Sequence, residues 1–319
     1  MHWRTDQIVI RAVIVLNNAK PNHINSFAIS KTYIMATISD FSKERKFQAV
    51  IKNTSRLTPE NTDEVREIVI EVKDPEFHCS VNQSFGVLVA SNGEFGNAYH
   101  HRLYSVADLP ESGDNRTRLT MLVKRCYYID DFNGEKYSGI ASNYLCDRKE
   151  GDLITITGPH SLPFEVPEDH TANLILIGMG TGIAPFRAFI KHIYKNIPDW
   201  QGQVRLFYGA RSGLELLYLN DQDGDLTNYY DKDTFEAFHA LSPRPHMGDP
   251  IAIDQALITR ASEIVHLLSL SNTYIYVAGF KNIKENLDKT FAKILGSKEK
   301  WETRKAELIA GRKWAEIIY

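Results

Sequence analysis

The chain has little of what would mark a disulfide-bonded, membrane-spanning or nucleic-acid-binding protein. Its 319 residues include 3 cysteines, Cys79, Cys126 and Cys146, none in a C-x-x-C pair. Three thiols cannot build a disulfide framework or a four-thiolate iron–sulfur site, and they are expected to stay reduced. No stretch approaches the run of about 20 apolar residues that a membrane-spanning helix needs. The opening MHWRTDQIVI lacks the basic region, apolar run and cleavage site of a signal peptide, so a cytoplasmic location is expected. Net charge is −3, from 37 Lys+Arg against 40 Asp+Glu, spread evenly along the chain. Neither half is the basic body that phosphate neutralisation demands of a nucleic-acid binder. The 11 histidines, His100-His101 and His239…His246 among them, lack the helical i, i+4 spacing or cysteine partners of a zinc site. A nucleophile-elbow glycine pattern is also missing.

An apolar share of 43% and this length allow two domains of ordinary size. The first half carries short alternating runs: FQAVIKN from Phe47, EIVIEV from Glu67, FGVLVA from Phe85, LTMLVKRCYYI from Leu119 and DLITITG from Asp152. Turn signals at Asn92-Gly93, Ser112-Gly113 and Asn133-Gly134 separate them, a pattern that predicts an antiparallel barrel or sandwich. Past the proline-rich stretch between Gly158 and Pro167, near-continuous apolar strands alternate with helical patterns. NLILIG from Asn173 precedes a helix near Pro185, VRLFYGA from Val204 precedes an acidic insertion and a helix around Phe235, and TYIYVAGF from Thr273 precedes an amphipathic helix through Ile294. That alternation predicts a parallel sheet covered on both faces. The reading is an α+β two-domain chain: an antiparallel β-barrel over 46–169, then an α/β parallel-sheet nucleotide-binding domain over 170–319. Residues 1–45 form an extension that does not fit the barrel pattern, and Asp221 to Asp233 reads as an acidic surface loop.

Three strings carry chemistry. In ILIGMGTGIAPFRAF, from Ile175 to Phe189, a buried strand ends in Gly178, Gly180 and Gly182 and a helix follows at Pro185. Glycines admit a ligand close to the backbone, and a helix N-terminus offers unpaired N–H groups to a pyrophosphate. A glycine-rich turn taken alone is as readily a packing feature. In HRLYSVAD, from His101 to Asp108, alternation puts Arg102 and Tyr104 on one face of a strand and Ser105 on the other. By itself this is more often a solvated surface pair. In SGIASNYLCD, from Ser138 to Asp147, a glycine and small residues enter a short helix whose N–H groups from Gly139 to Ser142 suit a second pyrophosphate, or merely cap the helix.

In their order and spacing R-L-Y-S, G-x-x-S-N-Y-L-C-D, T-G-P and G-x-G-T-G-I-A-P-F-R resemble the signature of the plant-type ferredoxin–NADP reductase family, from about Phe47 to Tyr319. The resemblance implies FAD in the barrel. Arg102 would meet its pyrophosphate, Leu103 would line the same cofactor site, Tyr104 would meet one face of the flavin ring, and Ser105 the hydride-accepting nitrogen. Gly139, Ile140, Ala141 and Ser142 would supply further pyrophosphate contacts, and Tyr128 would stack on the adenine. Leu122 and Lys124 lie on the strand between, Lys124 facing the nicotinamide dinucleotide. Gly180, Thr181, Ala210, Arg211, Ser242, Arg244, Gly279 and Phe280 would line the NADP site, with NAD an alternative. Tyr319 would cover the other flavin face as a ring displaced by nicotinamide.

Three departures stand out. The family's Cys-Gly-Leu reads Ala278-Gly279-Phe280. Ile317 occupies the place of the family's glutamate, leaving Glu316 one residue early as the candidate proton donor to Ser105. The Ser-Arg pair that grips a 2′-phosphate reads Ser242-Pro243-Arg244, and the Lys and Tyr expected beyond it are replaced within GDPIAIDQALITR. Arg211 and Arg244, with Arg260 as a weaker candidate, remain for that phosphate, and NADPH is favoured over NADH. The implied reaction is hydride exchange between NAD(P)H and FAD, with one-electron transfer to or from a separate 2Fe–2S ferredoxin or a flavodoxin. Arg304, Lys305, Arg312 and Lys313 are candidates to receive such a carrier, or a solvated helical face. The alternatives are an NADH-dependent reductase component of an oxygenase or cytochrome P-450 system, and a flavin-binding module that senses redox state without catalysis.

Overall fold

Alternating side chains in the first half and continuous apolar runs in the second form two sheets in the computed structural model, which describes residues 44–90, 99–129, 134–219, 225–280 and 283–319. The N-terminal extension through residue 43, the Asn92-Gly93 turn, Asn133 and residues 221–224 of the acidic insertion lie outside the described residues.

The first sheet comprises β1 (Lys46–Arg56), β2 (Val65–Val72), β3 (Gln83–Ala90), β4 (Tyr99–Ser105), β5 (Glu111–Gly113), β6 (Arg116–Lys124) and β9 (Leu153–Ser161). These are antiparallel neighbours in the order β4-β3-β9-β1-β2-β6-β5. The sheet curls until β4 lies against β6, where the Ala107 N–H donates to the carbonyl of Thr120 at 2.8 Å. The expected single run from Leu119 is split at Arg125-Cys126, and Tyr127–Ile129 (β7) instead pairs with Lys136–Ser138 (β8) as a separate hairpin. Helix α1 (Ile140–Cys146) packs on β3, β4 and β6.

The parallel sheet has the order β12-β11-β10-β13-β14, from β10 (Asn173–Met179), β11 (Val204–Ala210), β12 (Phe235–Leu241), β13 (Thr273–Gly279) and β14 (Trp314–Ile318). Its helices are α2 (Ile183–Asn196), α3 (Ile253–Thr259), α4 (Ala261–Ser269), α5 (Ile283–Ile294) and α6 (Lys298–Ala310). The helix expected around Phe235 is a strand. FEAFHAL pairs in parallel along the whole of β11, and at a sheet edge it buries Phe235 and Ala240 while Glu236 and His239 meet solvent. Short apolar runs of this length do not distinguish strand from helix by period. No helix among the described residues is long and apolar enough to cross a membrane.

One apolar core runs from the barrel (Phe85, Leu122, Phe164) into one face of the parallel sheet (Phe186, Tyr276, Ala278), and a second lies on the opposite face under α3–α6. Across the junction, the Phe164 and Tyr276 rings stack at 5.0 Å and the Tyr276 hydroxyl donates to the carbonyl of Glu165 at 2.8 Å.

On the barrel wall, the His101 ring covers Gly86, where any Cβ would fall 1.9 Å from its Nε2, and it meets the Thr157 hydroxyl at 2.9 Å. Burial, then the charges of His160, His100 and Arg102, lowers its pKa from 6.5 to about 4. An imidazole that resists protonation only when folded contributes nothing to stability above its unfolded pKa, and it destabilises progressively as pH falls from 6.5 toward 4. This group alone is expected to make the fold less stable at pH 5 than at pH 7. Urea unfolding at both pH values checks this. His101→Asn should flatten the difference, and an unchanged difference in that variant would remove His101 as its source.

Candidate functional site

The carboxyl ends of β10, β11 and β13 open onto a crevice, the general position for ligands of open parallel sheets. The chain leaves β10 through a 3-10 turn, Gly180–Gly182, directly into α2. Two glycines are needed there for different reasons. Gly180 has φ 55°, in the left-handed region that side chains avoid. Gly182 has ordinary helical angles but no room, because a Cβ would sit 2.2 Å from the carbonyl oxygen of Ala278. The turn also lies against β6, so the crevice opens onto the barrel strand that carries Leu122 and Lys124.

Tyr319 closes this junction. Its N–H donates to the carbonyl of Gly279 at 3.2 Å and its hydroxyl to that of Met179 at 2.9 Å, with Thr181 Oγ1 at 3.5 Å. Phe280 meets its ring edge-on at 5.5 Å. The hydroxyl end is buried while the residue as a whole stays 39% exposed, and that burial pushes the phenol up to about 12. It is therefore a neutral donor throughout the physiological range. Gly279 packs on Met179, and Phe280 reaches over Gly180.

On the barrel side, Arg102 and Leu103 are exposed on β4, and Arg102 has no ion pair among the described residues. Tyr104 is half-buried against the common core, and burial raises its phenol well above the ordinary value, so it too stays neutral. Ser105 ends β4 opposite Ser84. The first-turn N–H groups of Ile140, Ala141 and Ser142 precede the first intrahelical bond of α1. The expected fourth donor, Gly139, is already bonded to the carbonyl of Cys126 at 2.9 Å. Its glycine is needed for closeness instead, since a Cβ would come within 2.9 Å of the Ser142 hydroxyl. Beside this turn stands an exposed aromatic hairpin on which Tyr128, 55% exposed, stacks with Tyr137 at 5.2 Å. A cation, unpaired helical N–H groups and a bare aromatic platform together suit a dinucleotide with flat ring systems.

The crevice of the parallel sheet encloses about 450 Å³, lined by Met179, Phe280 and Ile283 on one side and by Arg211, His246 and Asp249 on the other. A second hollow, of about 540 Å³, continues from Arg211 and His246 to Glu60 and Asp63 in the β1–β2 loop. Ala210 is buried at the end of β11. Lys124 reaches Asp63 at 2.7 Å, and this contact lowers the pKa of that carboxyl. Ser242 is buried, with its hydroxyl donating to the carbonyl of Asp249 at 2.5 Å, and Arg244 is exposed and paired with the Asp249 carboxylate at 2.9 Å. Arg260 is held by Glu236 and Glu263, each at 2.9 Å.

Two groups of expected residues lie elsewhere. Glu316 shares the face of β14 that holds Trp314 and Ile318 against α5, and there it pairs with Lys284 at 2.6 Å. The barrel side of β14 is taken by Ala315 and Ile317, so Glu316 is not brought to Ser105. Arg304 and Lys313 bind the carbonyls of Leu270 and Ser271, at the opposite ends of the strands, and Lys305 binds Asp288 over the Trp314 ring. They hold α6 in place.

A cluster that sequence reasoning missed ties the two sheets together. Arg187, on α2, donates to Asp225 at 2.6 Å, to Asp108 at 2.9 Å and to the carbonyl of Ala107 at 2.9 Å. Its guanidinium lies 3.9 Å over the Tyr218 ring, whose hydroxyl donates to Glu67. Lys191, one helical turn on, joins Asp108 at 2.7 Å and Asp225 at 3.3 Å. Asp225 belongs to the insertion read as an acidic surface loop, so that loop is corrected at this position to part of the junction. The signal available was the arginine itself, in the middle of an apolar helical face.

A family model described as the oxidoreductase NAD-binding domain matches residues 176–289. The chain is 32% identical over 246 residues to the chloroplastic ferredoxin–NADP reductase leaf isozyme 1 of Oryza sativa subsp. indica, spanning 74% of this chain and 67% of that one. It is 32% identical to the Arabidopsis thaliana leaf isozyme 1 with the same coverage, and 30% identical to the ferredoxin–NADP reductase of Thermosynechococcus vestitus over 75% of this chain and 63% of the relative. The solved ferredoxin–NADP+ reductase of Plasmodium falciparum superposes with a TM-score of 0.62 at 20% identity, covering 89% of this chain and 98% of that one, a likeness of fold.

Proposed function

This chain belongs to the ferredoxin–NADP reductase family, and from that premise we propose that it is an FAD-dependent oxidoreductase exchanging a hydride with NADPH, favoured over NADH. When bound, FAD supplies two-electron chemistry toward the nicotinamide and one-electron chemistry toward a separate carrier. In this reading a barrel domain, 46–169, holds FAD, and a nucleotide domain, 170–319, holds NADP. Arg102 and the N–H groups of Ile140, Ala141 and Ser142 hold the FAD pyrophosphate, Leu103 lines the same site, Tyr104 and Ser105 lie against the flavin, and Tyr128 offers its ring to the adenine. The Gly180–Gly182 turn, Arg211 and Arg244 receive the nicotinamide dinucleotide, with Lys124 at the seam. Tyr319 holds the junction closed until nicotinamide displaces its ring. The Glu316–Lys284 pair supports β14, and protons reach Ser105 from solvent. The carrier is a ferredoxin, of the 2Fe–2S kind, or a flavodoxin. A cytoplasmic location suits three free thiols.

The observation that carries this reading is the meeting of the glycine turn, Tyr319 and β6 at one junction. Anaerobic titration of the FAD-loaded protein with NADPH should bleach the flavin absorbance. Tyr319→Ser should tighten nucleotide binding by roughly tenfold, because a ring that stacks and a hydroxyl that bonds no longer compete with nicotinamide. A protein that takes up no FAD would end the proposal, and unchanged affinity in the variant would remove Tyr319 from the gate.

A further inference from the structure

Resting on that reading of the crevice, we propose that Asp249 determines how strongly this chain distinguishes NADPH from NADH. Its carboxylate opposes a 2′-phosphate and accepts a hydrogen bond from a bare ribose 2′-hydroxyl.

Arg211 lines the crevice beyond β11, and Arg244 immediately precedes the lining residue Pro245, so two cations suited to an added phosphate stand at or next to the crevice. Of these, Arg244 is already engaged by a carboxylate that lines the crevice, Asp249 Oδ2 to Arg244 Nε at 2.9 Å. The two partners differ in freedom. Arg244 is 66% exposed and can swing, whereas Asp249 is 24% exposed and bound through its backbone at both ends. Its N–H donates to the carbonyl of Arg244 at 3.3 Å, and its own carbonyl accepts from the buried Ser242 hydroxyl at 2.5 Å. Gly248, at φ 78°, makes the tight turn between them. A phosphate that recruits Arg244 therefore draws the guanidinium away and leaves a negative carboxylate fixed beside a doubly negative group. A ribose diol at the same place meets an acceptor ready for its hydroxyl, the pairing by which an acidic residue favours NAD in doubly wound sheets. Selectivity is a difference of two affinities, and this carboxylate acts on both with opposite sign. NADPH retains the advantage that two arginines confer, and Asp249 narrows it.

The test compares 2′,5′-ADP with 5′-AMP, two probes that differ by the 2′-phosphate, by calorimetry on the FAD-loaded protein at fixed ionic strength. Asp249→Asn, which keeps the shape and removes the charge, should raise the affinity ratio in favour of 2′,5′-ADP by roughly tenfold. Asp249→Glu should stay near the parent. In Arg244→Gln the preference for the phosphate should fall, and adding Asp249→Asn should still raise it, because the carboxylate opposes the phosphate directly; a double variant no different from Arg244→Gln overturns the inference. An unchanged or lower ratio in Asp249→Asn overturns the inference and makes the carboxylate a mere support for Arg244. The same shift in Asp249→Glu as in Asp249→Asn overturns it too, since loop shape rather than charge would then be responsible. Failure of every variant and the parent to bind either probe overturns the crevice as a nucleotide site, and the inference with it.

Discussion

Arg187→Ala is expected to cost about 3–5 kcal/mol of folding stability, the effect of removing one partner from a buried charge cluster. The guanidinium is 7% exposed and stands among Asp108, Asp225 and Glu67. Without it, Lys191, at 12% exposure, is the cation left on Asp108 and Asp225 among the described residues. The alanine also uncovers Tyr218, which adopts φ 64° beneath the guanidinium and is held there by its bond to Glu67. Because Ala107 and Asp108 lie two and three residues after Ser105, loosening this cluster frees the end of β4 relative to the glycine turn. Chemical unfolding should show the loss of stability, and nucleotide-driven flavin bleaching should slow even in protein that remains folded. Arg187→Lys should recover only part of the stability, since an ammonium cannot donate in the planar fork that reaches Asp225, Asp108 and the Ala107 carbonyl together. A variant as stable as the parent would show that the cluster is not what joins the sheets.

Gly182→Ala is expected to abolish productive nucleotide binding while leaving FAD uptake intact. The added methyl would lie 2.2 Å from the Ala278 oxygen and 2.8 Å from its carbon, both main-chain atoms of a central strand. It would also lie 2.9 Å from the Tyr319 hydroxyl. Main chain cannot rotate aside as a side chain can, so the turn must move off β13 and the bond from Tyr319 to Met179 must lengthen. Overpacking of this kind costs about 3 kcal/mol or more. Gly180→Ala makes a useful contrast. Its nearest neighbour would be Phe280 at 3.7 Å, and it carries only the left-handed cost of about 1–2 kcal/mol. Flavin content and nucleotide titration of the two variants separate the effects. Normal titration of Gly182→Ala would show that the turn tolerates displacement and is not the nucleotide's seat.

Much of the architecture was legible because it depends on neighbours in sequence. Phe47 to Ile51 alternates one residue in and one out, NLILIGM is apolar throughout, and the glycines of GMGTG precede a helix. Each pattern states its own period and its own turn. FEAFHAL misled, because seven residues fit either period and only the hydrogen bonds of β11 choose between them. Glu316 misled for a related reason: adjacent residues on a strand face opposite ways, so its place beside Ile317 in the sequence put it on the wrong side of the sheet. The pairing of Lys124 with Asp63 and of Arg187 with Asp108 and Asp225 joins residues that no short motif contains.

The amino-acid order by itself determined the two sheets, the family, and the chemical kind of each site residue, because strand period, glycine turns and motif spacing are properties of short segments of chain. Only the tertiary structure decided which charges meet. Ion pairs form between elements that folding brings together from far apart, and their geometry depends on how barrel, turn and helix pack at the junction. For the same reason the state of Arg244, engaged by Asp249 on a rigid loop, is a fact of the folded molecule and not of its sequence.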